Sequence, residues 1–348
     1  MDTSAFFAKR EKRAPVDKAQ QAAKLPWVEK YRPKTVDEVA YQDEVTKTLK
    51  KSIETSNLPH LLFYGPPGTG KTSTILAIGR QLYGPNIFKE NVLELNASDD
   101  RGIKVVRSRV KGFSQIVSSG KKEAGYPCPP YKLIILDEAD SMTTDAQAAL
   151  RRMMETYSKT TRFCLICNYV TRIIEPLASR CVKFRFKPLS AETMKSRLVE
   201  ISNAEKFDVK DEVLDELVVV SGGDMRRAIT LMQSAHQLEP EGISVQTIVD
   251  ISGRVQDEMI DKFIAVCQSN SFDKLQEQVN NVVCEGYSAV TFIEQVQQKI
   301  ISSKELSDTQ KAKISIKMAE VDASLLEGAS EFLQLLDLGS TMLQVLCK

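Results

Sequence analysis

The stretch Leu61-Leu62-Phe63-Tyr64-Gly65-Pro66-Pro67-Gly68-Thr69-Gly70-Lys71-Thr72-Ser73 constrains this chain more than any other. A short apolar run ends in a glycine-rich turn. Lys-Thr then opens a segment with Ile75, Leu76, Ile78 and Leu82 at helical spacing. Strand, turn and helix, with the G-x-x-x-x-G-K-[ST] spacing between them, predict a phosphate-binding loop. Glycines let the backbone curl until its N–H groups form a nest for phosphate oxygens, and the helix N-terminus adds a partial positive charge. Gly65, Pro66, Pro67, Gly68, Thr69, Gly70, Lys71, Thr72 and Ser73 are therefore candidate nucleotide contacts. Lys71 is expected to reach the β- and γ-phosphates, and the Thr72 hydroxyl to ligate Mg²⁺. A nucleoside triphosphate is the expected ligand.

Hydrolysis needs more than a cradle. About sixty residues beyond the loop, the apolar run Leu133-Ile134-Ile135-Leu136 ends in Asp137-Glu138-Ala139-Asp140. Such a run reads as a strand of a parallel sheet covered on both faces. Asp137 is placed to hold Mg²⁺, and Glu138 to accept a proton from the attacking water. A further strand, Phe163 to Cys167, ends in Asn168, which at the same sheet edge can orient that water. The spelling D-E-A-D invites a helicase reading, but that reading needs a second α/β half, and the pattern after residue 187 turns helical.

At 348 residues the chain exceeds one ordinary core, and 42% hydrophobic with 27% charged content describes a globular protein. A net charge of +1 means that any contact with nucleic acid must come from a local patch. No apolar run approaches membrane-spanning length, and the N-terminus lacks a signal-peptide core. Seven scattered cysteines suit reduced thiols of the cytosol or nucleus. Cys164 and Cys167 form a C-x-x-C inside a strand, where they face opposite sides, and no second pair completes a zinc site.

In chain order, residues 1–24 read as a flexible tail carrying Phe6-Phe7 and the basic run Lys9 to Arg13, a solvated stretch or a nuclear-import patch. Leu25 to Pro33 reads as an ordered extended arm, and Gln42 to Ser56 as a helix. Gly84-Pro85 is expected to stop the helix after the phosphate loop. A later helix carries Ile103, Val106, Val110 and Phe113 on one side, with Arg101, Lys104, Arg107 and Lys111 towards the other. That basic face is either solvated or a reader of phosphate backbone. Residues 118–131 form a loop, and strand–helix alternation to about residue 187 argues a doubly wound parallel sheet. Four or five amphipathic helical stretches follow residue 255. The expected divisions are 1–24, 25–188, 189–254 and 255–348.

Taken together, Gly-Pro-Pro-Gly-Thr-Gly-Lys-Thr, Asp-Glu-Ala-Asp, Asn168, Ser179-Arg180-Cys181 and Gly223-Asp224-Met225-Arg226 resemble an AAA+ ATPase of the clamp-loader branch. More closely, the chain is similar to the small subunits of eukaryotic replication factor C. The likeness runs from Pro26 to the C-terminus, and its most specific pieces are Trp27 to Pro33, Glu94 to Asp99 and Ser179 to Cys181. It implies an α/β P-loop AAA+ domain with a parallel sheet and flanking helices, then a small helical lid and an all-α C-terminal collar. It implies base contacts from Val28, Tyr31 and Arg32, sensor roles for Asn168 and Arg226, and an arginine finger, Arg180, acting in trans on a neighbour's ATP. Read without the family, Arg180 is equally a structural ion-pair residue. The resemblance implies phosphate contacts to DNA from Arg101, Arg107 and Arg172. It further implies ATP and Mg²⁺ as cofactors, a heteropentameric assembly, the sliding clamp PCNA and primer–template DNA as partners, a nuclear location, and no membrane. The rivals are another AAA+ DNA-dependent ATPase (a helicase or remodeller) and a ring member that binds ATP without turning it over.

Overall fold

The computed structural model describes residues 25–39, 43–55, 57–97, 102–115, 123–240 and 242–347, with the backbone alone at 43–45 and 102–107. The expectations for the N-terminal tail and for Arg101 lie outside the described residues, as does the side chain of Arg107. By compactness the chain divides into two units. One comprises residues up to Lys206 together with Ser221–Gln233; the other comprises Phe207–Val220 and Ser234 onwards.

The first unit is built on five parallel strands: β1 (Leu61–Tyr64), β2 (Val92–Asn96), β3 (Lys132–Asp137), β4 (Thr161–Cys167) and β5 (Val182–Arg185). Their spatial order is β2-β3-β4-β1-β5, with Leu61 level with both Cys164 and Val182. Parallel neighbours cannot be joined by hairpins, so each connection crosses over the sheet. The crossovers carry α3 (Lys71–Asn91), α4 (Gly102–Gln115), α5 (Thr144–Thr156) and α6 (Glu175–Ala178), while α1 (Trp27–Lys30) and α2 (Asp43–Glu54) precede β1. The strand period of two sorts side chains by face. Leu61, Phe63, Cys164 and Ile166 enter one apolar cluster, and Leu62, Phe163, Leu165 and Cys167 the other. The C-x-x-C pair is thereby split across the sheet, and burial pushes the Cys167 thiol up to about 12.

One local expectation changes. The arm is not wholly extended: after Pro26 the chain makes one helical turn, in which the Tyr31 N–H donates to the Trp27 carbonyl at 2.9 Å. Proline suits a helix start because the N–H it lacks would have no partner there, and Pro33 then bars a longer helix. Gly84-Pro85 ends the first helical segment of α3 as expected, and a second segment follows at once. Gly84 takes φ 70° and ψ 170°, and the helix resumes from Pro85 to Asn91.

Beyond β5, α7 (Ala191–Glu205) is capped by Ser190, whose hydroxyl accepts from the Thr193 N–H. α8 (Asp211–Ser221) and α9 (Met225–Leu238) follow, and α9 groups with the first unit as far as Gln233. The second unit has no strand among its described residues. Its helices include α10 (Val245–Ser252), α11 (Asp257–Gln268), α12 (Phe272–Cys284), α13 (Ala289–Ser302), α14 (Asp308–Leu326) and α15 (Glu331–Leu346). Phe263 of α11 and Phe292 of α13 meet edge to face at 5.0 Å in its core. Ser307 and Gln310 form a reciprocal capping box that starts α14. No described helix is long and apolar enough to cross a membrane.

Candidate active site

The carboxyl ends of β1, β3 and β4 lie side by side, so the loop Gly65–Gly70, the pair Asp137-Glu138 and Asn168 converge. Two glycines of the loop are required by space as well as by angle. A Cβ on Gly65 would fall 2.2 Å from the Phe186 carbonyl oxygen, and one on Gly68 would fall 1.8 Å from Asp224 Oδ1. Asp224 itself caps α9, accepting from the N–H groups of Arg226 at 2.8 Å and Arg227 at 3.2 Å.

Lys71 opens α3 and is 7% exposed. Its Nζ donates to the carbonyls of Gly65 and Pro66, both at 2.7 Å, and to Asn168 Oδ1 at 2.9 Å. Burial lowers the affinity of this amine for its proton, and the charges of Asp137 and Asp140 oppose that fall. Thr72 Oγ1 donates to Asp137 Oδ2 at 2.7 Å, and Asp137 Oδ1 accepts from the Glu138 N–H at 2.9 Å. Glu138 is exposed and left-handed, at φ 53° and ψ 40°. Its carbonyl accepts from Ser141 N at 2.9 Å and Ser141 Oγ at 2.7 Å, which hold that sparsely populated conformation.

These groups border a cavity of about 200 Å³ lined by Pro67 to Ser73, Asp137, Glu138 and Asn168. The arm contributes Val28, Tyr31 and Arg32, and α9 contributes Met225, Arg226 and Ile229. Cationic side chains and a helix N-terminus, with apolar Val28, Val39 and Ile229 also on the wall, suit a polyphosphate attached to a flat ring. Thr72 Oγ1 and Asp137 Oδ2 are hard oxygen donors within contact of one another. They fit Mg²⁺, which prefers a few protein oxygens, waters and phosphates to a protein cage, and no cluster of three metal-binding side chains occurs among the described residues.

Residues 61–189 match the model of the ATPase family associated with various cellular activities, and residues 196–236 match an AAA+ ATPase lid domain. Residues 255–341 match the replication factor C C-terminal domain. The chain is 56% identical to human replication factor C subunit 4 over 94% of its own length and 90% of that protein's. It is 48% identical to replication factor C subunit 2 of Saccharomyces cerevisiae, over 95% and 96%. With the replication factor C small subunit of Archaeoglobus fulgidus it shares 46% identity, over 89% and 94%. The chain belongs to the replication factor C small-subunit family. It is an AAA+ ATPase and a subunit of a multi-subunit clamp loader. The RuvB Holliday junction branch migration motor of Thermotoga maritima shares the fold alone, with a TM-score of 0.51 at 17% identity over 77% of this chain and 91% of that one.

In this replication factor C subunit the expected site residues do not all meet. Gly65 and Pro66 are absent from the cavity wall; their carbonyls hold Lys71 instead. Arg180 also lies off the wall. It donates to the Pro176 carbonyl at 2.6 Å and pairs with Glu155 on α5. Arg172 is exposed, with its guanidinium 5.2 Å from the centre of the Tyr169 ring.

Several contributors carry no signal in the sequence. Glu205 Oε1 accepts from Lys30 Nζ at 2.6 Å and from the Tyr31 hydroxyl at 2.8 Å, and Arg197 Nη2 donates to the Tyr31 carbonyl at 3.0 Å. The Glu205 carboxylate pushes the Lys30 amine up, while burial, and then Glu205, do the same for the Tyr31 phenol. Arg197 also faces the cavity. Gln147 is buried, donating to the carbonyls of Met142 at 3.2 Å and Arg172 at 3.0 Å and accepting from Ile174 N at 2.8 Å. A helical arginine or glutamine reads as solvated surface until distant chain arrives beside it.

Proposed function

We propose that this subunit binds ATP with Mg²⁺ and hydrolyses it within a heteropentameric clamp loader that opens the ring-shaped sliding clamp, PCNA, and places it on primer–template DNA in the nucleus. The observation that supports this most is the single cavity shared by the phosphate loop, Asp137-Glu138, Asn168, the arm and Arg226, in a chain related to replication factor C subunits over nearly its whole length. The functional segments are 25–188, 189–254 and 255–348: the AAA+ domain, the lid and the collar.

Thr72 and Asp137 are the residues that would hold Mg²⁺, which when bound would supply neutralisation of phosphate charge. Lys71 is presented to phosphate by two carbonyls and Asn168, so its charge is aimed before nucleotide arrives. Glu138 takes the proton of the attacking water, and Asn168 orients that water. Arg226, on the α9 end capped by Asp224, reaches the γ-phosphate, while Val28, Tyr31 and Arg32 seat the base. Arg180 serves the ATP of a neighbouring subunit. Its position off this chain's cavity wall supports a trans role, because a finger for another site has no place in its own. Arg101, Arg107 and Arg172 contact DNA phosphates, which grips DNA without reading its sequence.

The decisive experiment reconstitutes the complex and follows transfer of labelled PCNA to primed DNA. A five-subunit assembly with one copy of this chain, whose loading requires ATP, is expected. A homohexamer that unwinds DNA and leaves PCNA in solution would overturn the proposal.

A further inference from the structure

One carboxylate of the acidic stretch after β3 has no part in the reaction just described. Asp140 lies in the short turn Ala139–Ser141 that follows Glu138. Its Oδ2 accepts from two successive backbone N–H groups where the chain leaves β4, Asn168 at 3.1 Å and Tyr169 at 3.2 Å. Asn168 Oδ1 in turn accepts from Lys71 Nζ at 2.9 Å. The same turn is fastened to Glu138 through the Ser141 N–H and hydroxyl. A hydrogen-bonded path thus runs from Asp140, two residues beyond Glu138, through the backbone of Asn168, to its side chain and the phosphate-loop lysine.

We propose that Asp140 is a positioning residue for hydrolysis: it anchors the backbone from which Asn168 is presented, so that Glu138 and Asn168 share one frame. An ionised oxygen suits the task because it accepts two adjacent N–H groups in charge-assisted bonds and fixes both peptide planes. A small rotation of the Asn168 peptide would swing its amide away from Lys71 and from the water it orients, and misplacement on that scale is enough to slow a reaction. The D-E-A-D spelling thereby acquires a physical reason in its last letter that owes nothing to unwinding. The inference rests on the reading of Asn168 given above.

The test uses the full chain in the assembled complex, with this site's turnover taken as the rate lost when Glu138→Gln is introduced. Asp140→Ala is expected to lower that turnover by roughly ten- to a hundredfold with ATP affinity nearly unchanged. Asp140→Asn retains an acceptor oxygen for both N–H groups, and its loss is expected to stay within about fivefold. In an Asn168→Ala background neither substitution should slow the site further, because the group they position is gone. Should Asp140→Ala fail to assemble, Asp140→Asn carries the same cycle. Full turnover in Asp140→Ala, undiminished additivity with Asn168→Ala, or a fall in ATP affinity matching the fall in rate would each overturn the inference. Normal turnover in Asn168→Ala would overturn the parent reading as well. A slow Asn168→Ala beside a fast Asp140→Ala would overturn this inference alone.

Discussion

In the α/β unit the interior mixes polar groups with apolar ones: Lys71, Thr74, Gln147, Thr193 and Ser202 are all buried there. In the helical unit, the buried side chains among the described residues are apolar ones such as Phe263, Val279, Phe292 and Leu338, together with the thiol of Cys267. Burying a polar group costs free energy unless its hydrogen bonds are replaced. The α/β unit offsets that cost with hydrogen bonds at Lys71, which has three acceptors, and at Gln147, which has three partners. The helical unit has no such obligation, and its helices pack as closely as side chains allow, with Gly339 tight against Leu275. One unit is arranged to react, the other to pack.

Substitutions in the two units should therefore fail in different ways. The largest effect is expected from Arg180→Ala, which should lower hydrolysis at the neighbouring subunit's site by about a thousandfold while leaving ATP binding by this chain intact. Nucleotide-binding measurements that show this chain losing its own ATP would contradict the trans role. Phe263→Ala should cost the helical unit about 3–4 kcal/mol of stability, read by denaturant titration, with no change in the ATP affinity of the α/β unit. A parallel loss of ATP affinity would erase the contrast between the two units. Glu138→Gln should slow turnover at this site by about a hundredfold and leave ATP bound, whereas unchanged turnover would remove Glu138 as the base.

Smaller effects sharpen the contrast. His60 accepts from the Phe163 N–H at 3.2 Å, and burial, with Arg162 nearby, pulls its pKa down to about 4. The folded state favours the neutral ring, so its stability contribution is complete above pH 6.5 and is lost as pH falls from 6.5 towards 4. Replacement of His60 by Phe should flatten that segment of the α/β unit's acid-denaturation curve, and an unaltered curve would show that another group carries it. Ser307→Ala, which removes one half of the capping box, should cost the helical unit about 1 kcal/mol and leave turnover untouched.

What could be read from the chain alone followed from how locally each feature is encoded. The phosphate loop, the strand Leu133–Leu136 and its acidic end are contiguous, and their periodicity and spacing carry the physics within a dozen residues. The helical character beyond residue 187 was legible for the same reason. Boundaries were less so: Leu25 to Pro33 reads as extended, yet Pro26 starts a helical turn, and Gly84-Pro85 stops one segment as it reads while its proline opens another directly behind. The arm's partners Arg197 and Glu205 were invisible, since nothing near Tyr31 in sequence announces a contact across 166 or 174 residues.

Local residue order was enough to set most elements, the phosphate loop and the acidic pair, because φ/ψ preference, apolar period and motif spacing act over a few neighbours. Tertiary structure alone decided which carbonyls hold Lys71, that Asp140 seizes the backbone beside Asn168, and that Arg180 stands off its own cavity. Those facts depend on the order β2-β3-β4-β1-β5, which brings strand ends together that are far apart along the chain. Hydrogen bonds are fixed by distance and angle in space, and residue spacing along the chain constrains neither once it passes through a crossover.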